Sequence, residues 1–375
     1  MPHLTNFKIE NFRGFDKLEV KGLSKINLFV GKNNCGKTSV LEALFLLLGM
    51  SNPLLAENVN RVRGLVLGAL QPRQLKYLFH NITYDNNPSF HGDFDDTSER
   101  WLEIKPRFQK RIEHSDTPSQ VNSKEDLPII NATTTSMPDI TGLDMAFSIK
   151  KRHESRKNFS SSLQYNVIQA GVLPTFQVSP TMSRDYIENM RAVFVPSDSK
   201  DSNVFARYSE IMRQRRESSI LKMLQSFDKR IESISSLQDG IYFGLKGFKE
   251  LMPSNILGDG MRKFLSIITA LSEFDNAIIL IDEIENGLHF EAHKLLWESI
   301  ISLANTYNCQ LCITTHNIET LSYLESVLEK ENYANMQKFV KVFTLSETSK
   351  QGFKAYKYSF EAFKDAIDTE TELRK

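Results

Sequence analysis

The chain has 375 residues, 41% apolar and 25% charged, with 46 Lys and Arg balancing 46 Asp and Glu. That length accommodates two domains or one large domain with an insertion, and that composition excludes a largely disordered chain. Zero net charge excludes a histone-like or tail-driven nucleic-acid binder, the longest apolar run (Ala43 to Met50) falls far below the ~20 residues that span a bilayer, and three cysteines cannot build a disulfide scaffold.

The opening MPHLTNFKIENFRGF carries charges at short intervals and has neither the basic start nor the apolar stretch of a secretory signal, so the expected location is the cytoplasm, with no membrane partner. Residues 4 to 31 read as three short strands, LTNFKIENF, KLEV and KINLFVG, separated by turns at Gly14 and at Gly22 to Ser24. From Thr38 to Leu48 the chain is apolar nearly all round and Gly49 stands as a C-cap, which predicts a helix buried against a sheet. Residues 81–142 are polar and broken by Asn, Asp, Ser, Thr and Pro, with one alternating segment from Trp101 to Phe108. This predicts an insertion of strands and long loops.

Alternation returns over 143–150, 162–169 and 173–179, and Ala192 to Pro196 reads as a strand of a larger sheet. Between Asn203 and about Ser235, Ile211, Met212, Ile220, Leu221, Leu224, Phe227 and Ile231 fall at helical spacing. The last third alternates helix (262–272), strand (277–281), helix (290–304) and strand (310–315), the pattern of a buried parallel sheet. Strands at 338–345 and 353–360 and a short helix close the chain. The expected organisation is 1–80 and 191–375 as two parts of one unit, with 81–190 inserted between them.

Gly31-Lys32-Asn33-Asn34-Cys35-Gly36-Lys37-Thr38 fits G-x-x-x-x-G-K-[ST] and lies between an apolar strand and a helix, where that mechanism requires it. The glycines let the backbone curl so that successive N–H groups, from Gly31 through Asn33, Asn34, Cys35 and Gly36 to Ser39, cradle a phosphate. Lys37 reaches the β- and γ-phosphates and Thr38 can ligate Mg²⁺. The metal needs a carboxylate, and the apolar strand Ile278 to Ile281 ends in Asp282; Glu283, one residue on, is placed to polarise an attacking water. Leu257 to Arg262 forms a glycine-containing helix start, and Thr314-Thr315-His316-Asn317 sets a histidine at the end of a strand.

In order and spacing these four elements resemble the ATP-binding-cassette ATPase heads of the SMC and RecF type, and most closely the ATPase domain of the OLD (overcoming lysogenization defect) family, over residues 1 to about 85 and 190 to 360. The resemblance implies an α/β P-loop head of ABC type, a mixed sheet with buried helices carrying a β-rich and helical insertion, which hydrolyses ATP with Mg²⁺. It implies Glu283 and His316 as catalytic residues, Thr38 and Asp282 on the metal, and Arg13 of Phe12-Arg13-Gly14-Phe15 near the nucleotide. It also makes Gly258 and Gly260 part of a signature loop that contacts ATP held by a second copy, hence a homodimer or higher homo-oligomer, and makes Glu285 to His289 the D-loop. Gly258 stands where the family usually has serine and Ile284 where proline often follows the glutamate. Gln71 and Gln74 are the candidates for the Q-loop glutamine.

Full OLD nucleases continue into a TOPRIM domain. The 59 residues after His316 leave no room for one, and residues 81–190 show no paired carboxylates or His-metal spacing, so the expected partner is a separate effector such as a nuclease, in anti-phage defence. The rival reading is a RecF-like clamp that closes on DNA with ATP; a membrane-transporter motor fits the FRGF and Gly-Asp-Gly elements less well. Basic clusters at Lys150-Lys151-Arg152 with Arg156-Lys157, and at Arg213 to Arg216, read as solvated faces, with nucleic-acid contact as the alternative. Cys309 and Cys312, three apart on a strand, point to opposite faces and are no zinc pair. His289 and His293 lack the glutamate of a zincin helix.

Overall fold

A computed structural model describes residues 2–65, 71–108, 140–169, 175–198, 201–348 and 352–369. The most polar part of the expected insertion, 109–139, and the first residues of the 173–179 segment lie outside them. Among the described residues no helix is long and apolar enough to cross a membrane.

The chain opens with an antiparallel hairpin, β1 (Leu4–Phe12) and β2 (Phe15–Lys21), followed by β3 (Ile26–Val30) and α1 (Lys37–Leu48). After α2 (Leu55–Val62) come β4 (Ser89–Phe94), β5 (Glu99–Phe108), β6 (Ile140–Lys150), β7 (Lys157–Gln169), β8 (Thr175–Thr181) and β9 (Ala192–Val195). Then follow α3 (Val204–Arg213), α4 (Glu217–Phe227), β10 (Ile231–Leu237), β11 (Gly240–Leu245), β12 (Met252–Pro253) and α5 (Asp259–Glu273). The last elements are β13 (Ile278–Ile281), α6 (Phe290–Thr306), β14 (Gln310–Thr314), α7 (Ile318–Leu328), β15 (Val340–Thr348), β16 (Gly352–Tyr358) and α8 (Phe360–Asp368).

One sheet has the order β16-β15-β3-β14-β13-β9, with every neighbour parallel except β16. Its central strands are buried on both faces, and the period of two sorts them between two cores. Ile26, Leu28, Val30, Ile279, Ile281, Leu311 and Ile313 face α5, α6 and α7, whereas Phe29, Ile278, Leu280 and Cys312 face α1. Cys309 and Cys312 fall in different cores, as their spacing predicts, and burial pushes the Cys312 thiol up to about 12.

α1 fills the space between this sheet and a seven-stranded antiparallel sheet of order β2-β1-β4-β5-β6-β7-β8. β4 pairs directly with β1, Phe7 opposite Gly92, so the strands of the 81–190 segment extend the N-terminal hairpin. The apolar faces of both sheets close on Leu41, Leu44, Leu46, Leu47 and Leu48 of α1, which are 0% exposed. This accounts for a helix that is apolar nearly all round.

One expectation is corrected. The helical spacing read as far as Ile231 holds only to Phe227, where α4 ends, and residues 231–253 form a small antiparallel sheet, β10-β11-β12. The Asp228 carboxylate accepts from the Arg230 backbone N–H at 2.9 Å, a local turn that competes with the helix and stops it, and the Ile231 side chain enters the core from a strand.

Candidate functional site

The parallel register brings the C-terminal ends of β3, β14 and β13 to one edge, and the loops that leave them hold the polar residues of interest. The loop between β3 and α1 turns on two glycines. Gly31 has φ +149°, and a Cβ there would stand 2.6 Å from the Leu345 carbonyl oxygen. Gly36 has φ +85°, and a Cβ there would stand 2.4 Å from the Phe15 ring. Phe15 belongs to the FRGF segment, so that segment braces the loop from below. Asn33 and Asn34 are exposed and Cys35 is buried beside Lys37.

The Lys37 ammonium donates to the carbonyls of Gly31 (2.9 Å) and Lys32 (2.8 Å), which places it inside the curl of the loop. The Thr38 hydroxyl donates to the Asp282 carboxylate at 2.9 and 3.1 Å, joining the first turn of α1 to the end of β13. Thr314, the last residue of β14, donates to the same carboxylate at 2.7 Å and accepts from the Glu283 N–H at 2.8 Å. Glu283 is half-buried and holds φ +44°, a left-handed conformation rare for a side chain of its size and found where surrounding bonds enforce it.

His316 follows β14 and is fixed by Glu285: one carboxylate oxygen accepts from the His316 backbone N–H at 2.8 Å and pairs with Nδ1 at 2.9 Å. Gly258 caps α5 and lies in open space, since a Cβ there would meet nothing within 4 Å. Gly260 packs tightly, and a Cβ on it would stand only 2.6 Å from the Gly287 carbonyl oxygen. Gly260 thus makes a close approach within its own chain, to the acidic loop from Asp282 to Gly287.

The structure therefore joins Thr38, Asp282 and, through Thr314, the Glu283 N–H in one hydrogen-bond network, with Lys37 beside Thr38 in the loop and His316 bonded separately to Glu285, two residues beyond Glu283. It does not bring Arg13 into that network directly. Arg13 is buried against Glu42 of α1 at 2.7 Å and donates to the Val59 carbonyl and the Asn60 side chain, so it braces α1 on α2. Burial lowers its guanidinium to about 10. Arg63 bonds the same Glu42 at 2.6 Å and donates to the Ser39 hydroxyl at 3.0 Å, linking Ser39 to this buried pair. Gln71 and Gln74 bond each other locally as a cap on the turn at 72–78.

Sequence reasoning missed Arg63, Thr314 and Lys263. Lys263 is fully buried on α5, its ammonium donating to the carbonyls of Pro196 (2.6 Å) and Asp282 (2.8 Å), and burial lowers it to about 8 against the pull of Asp282, Glu285, Asp201 and Glu283. A signal was present: with Gly260, Phe264, Ile267, Ile268 and Leu271 it falls on the apolar stripe of that helix.

Away from this edge, β4 and β5 bring ligand atoms of His91, Asp93 and Glu99 within 4.8 Å of one another, a grouping that the linear spacing of 81–190 did not disclose. Lys150 meets Glu99 at 3.0 Å and Asn6 meets Asp93 at 3.1 Å, so protein donors already serve these carboxylates. The basic clusters are engaged as well: Arg156 lies over the Trp101 ring at 3.5 Å, Lys157 pairs with Glu154, and Arg216 pairs with Asp275. His293 bonds Thr320 at 3.1 Å and stacks on Tyr323, a core histidine.

Residues 26–322 match the family described as "AAA domain, putative AbiEii toxin, Type IV TA system". An "ATP/GTP phosphatase" of Helicobacter pylori is 26% identical over 359 residues, spanning 89% of this chain and 91% of that protein. The DNA replication and repair protein RecF of Saccharophagus degradans is 43% identical over 47 residues, 12% of this chain and 13% of that one. A solved SmcHead bound to the C-winged helix domain of ScpA aligns with a TM-score of 0.47 at 11% identity, covering 96% of this chain and 98% of that one.

Proposed function

The chain belongs to the AAA domain family matched over residues 26–322 and is an ATPase of the P-loop class, the premise from which we propose a cytoplasmic regulatory ATPase that uses Mg²⁺, dimerises on ATP and acts through a separate effector in anti-phage defence. The observation that carries the chemistry is the Thr38–Asp282 bond at 2.9 Å, with Lys37 and Glu283 each one residue away from a partner of that bond. A hydroxyl and a carboxylate are the oxygen donors a magnesium site takes from protein, so Thr38 and Asp282 fit that ion, which when bound offsets the charge of the phosphates. Lys37 and the loop N–H groups hold and orient the β- and γ-phosphates. Thr314 keeps the Asp282 carboxylate turned toward Thr38, and Glu283 takes a proton from the attacking water. His316, anchored by Glu285, faces the same edge and stabilises the transferred group.

Support for dimerisation comes from the surface around Gly258. Phe248, Leu251 and Ile256 precede α5 in the chain, Phe290 follows the Glu285–His289 loop, and all four are exposed large apolar side chains of the kind a contact surface covers, while Gly258 itself is open. The anti-phage role draws on the toxin–antitoxin wording of the family description and on the OLD resemblance. In the 81–190 segment, β8 is an edge strand, and Val167, Ile168, Met182 and Ile187 are exposed near it, which supports that segment as the effector-docking face. The short RecF matches support the alternative, a DNA clamp; salt-dependent DNA binding by the Mg²⁺-ATP form distinguishes it.

The test of the chemistry is Glu283→Gln, expected to keep Mg²⁺-ATP binding in calorimetry while turnover falls by about 10² or more, the scale of a lost general base. His316→Ala impairs the same step. Purified wild-type protein is expected to hydrolyse ATP and leave DNA and RNA intact with Mg²⁺ or Mn²⁺. Nuclease activity that co-elutes and survives Glu283→Gln would reveal a second active site and sink the separate-effector reading.

A further inference from the structure

Lys263 sits where two structural boundaries meet. β9 and β13 pair in parallel as far as Val195 and Ile281, and the Asp282 N–H still reaches the Val195 carbonyl at 2.9 Å. Beyond that point the two strands separate, and the carbonyls of Pro196 and Asp282 need a donor from elsewhere. The Lys263 ammonium serves both, at 2.6 and 2.8 Å, from a side chain with no exposed surface.

A buried ammonium is a costly way to satisfy two carbonyls, and it is retained here among four carboxylates, those of Asp282, Glu285, Asp201 and Glu283. Its bond to the Asp282 carbonyl acts on the peptide that leads into Glu283, the residue held at φ +44°. One turn earlier on the same face of α5, Gly260 rests on the Gly287 carbonyl at the far end of the acidic loop. α5 therefore touches that loop at both ends, and the residue that caps its start, Gly258, is open.

We propose that Lys263 is a positioning residue for hydrolysis: it holds the Asp282–Glu283 peptide so that Glu283 faces the reacting water, and it makes that geometry depend on where the start of α5 sits. The proposal rests on the reading of Glu283 as the group that polarises the water. A displacement of the Gly258 segment, such as contact with a second copy produces, is passed through Lys263 to Glu283 without any contact between Lys263 and nucleotide.

The experiment is steady-state ATP hydrolysis by the full chain carrying Lys263→Met, Lys263→Arg, Glu283→Gln or the double change Lys263→Met with Glu283→Gln, together with ATP binding by calorimetry and thermal melting. Lys263→Met is expected to lower kcat at least about tenfold with KM and ATP affinity within about threefold of wild type, and Lys263→Arg, which keeps a cation and its donors, to recover most of that loss. In the Glu283→Gln background Lys263→Met is expected to change the residual rate by less than about twofold, because a residue that acts through Glu283 has nothing left to position. Wild-type kcat in folded Lys263→Met overturns the proposal, as does a further tenfold loss in the double variant. If Lys263→Met melts below the assay temperature, Lys263→Arg decides: a rate within about threefold of wild type is the expected result, and a rate as low as that of Glu283→Gln overturns it. Wild-type turnover in Glu283→Gln removes the underlying reading by itself, whatever the Lys263 variants do.

Discussion

The two large sheets share α1 as a common wall and bury different things. Where the six-stranded sheet ends in its loops, Lys37, Lys263, Asp282, Glu285, Thr314 and Thr315 are all buried and bonded to one another or to backbone. The seven-stranded sheet buries an apolar face, with Arg100 paired to Glu188 as its one described buried charge, and lines up Lys8, His91, Trp101 and Asn158 across its outer face. The difference follows from strand direction. Parallel strands deliver several loop starts to one edge, where backbone and side-chain polar groups converge, whereas antiparallel strands pair their polar groups across the sheet and scatter their loops.

If that contrast holds, substitutions at the convergent edge act on ATP hydrolysis and substitutions on the antiparallel face leave it unchanged. The largest effect is expected for Lys37→Ala. It removes charge-assisted contacts worth about 1.5–3 kcal/mol each, so ATP affinity falls by on the order of 10² or more in calorimetry while the nucleotide-free chain stays folded. Wild-type affinity would break the assignment of the loop and with it the contrast.

Next comes Gly258→Arg. Because the site is open and its φ of −59° is available to any residue, the change leaves the fold intact, keeps ATP binding and abolishes ATP-dependent dimerisation, read by light scattering in the Glu283→Gln background. Gly260→Arg is a poor substitute, since any side chain there collides with Gly287 inside the same chain. A dimer that persists in Gly258→Arg with ATP counts against the second-copy interface.

The smallest effect is expected for Trp101→Ala. Losing the stack with His91 and the Arg156 contact costs about 0.5–2 kcal/mol of stability by chemical denaturation, with ATP turnover within about twofold of wild type. A tenfold loss of turnover without loss of stability would place the antiparallel sheet inside the catalytic machinery and erase the distinction between the two sheets.

Much of the site was legible before any fold was known, because its parts are local. Gly31 to Thr38 between a strand and a helix, Asp282-Glu283 after four apolar residues, and the uniformly apolar α1 each carry their meaning within a dozen residues. What was misread depends on competition between levels. Residues up to 231 keep helical spacing, but a single turn at Asp228 to Arg230 converts the last of them into a strand, and spacing alone does not register a turn that a side chain caps. For Arg13, which the family resemblance sets near the nucleotide, the sequence said nothing of its pairing with the buried carboxylate of Glu42.

The amino-acid sequence by itself carried the expectation of the chemistry: a phosphate loop needs its glycines and lysine at set intervals, and a metal carboxylate needs a buried strand end, and residues that meet both requirements are written along the chain. Tertiary structure alone decided which groups answer to which. Thr38 and Asp282 are 244 positions apart, Lys263 meets the carbonyls of Pro196 and Asp282 only because α5 crosses the end of two parallel strands, and β4 extends the β1–β2 hairpin rather than starting a sheet of its own. Such pairings are set by packing of apolar faces over long sequence separations, and the bonds they create are read only after the faces have closed.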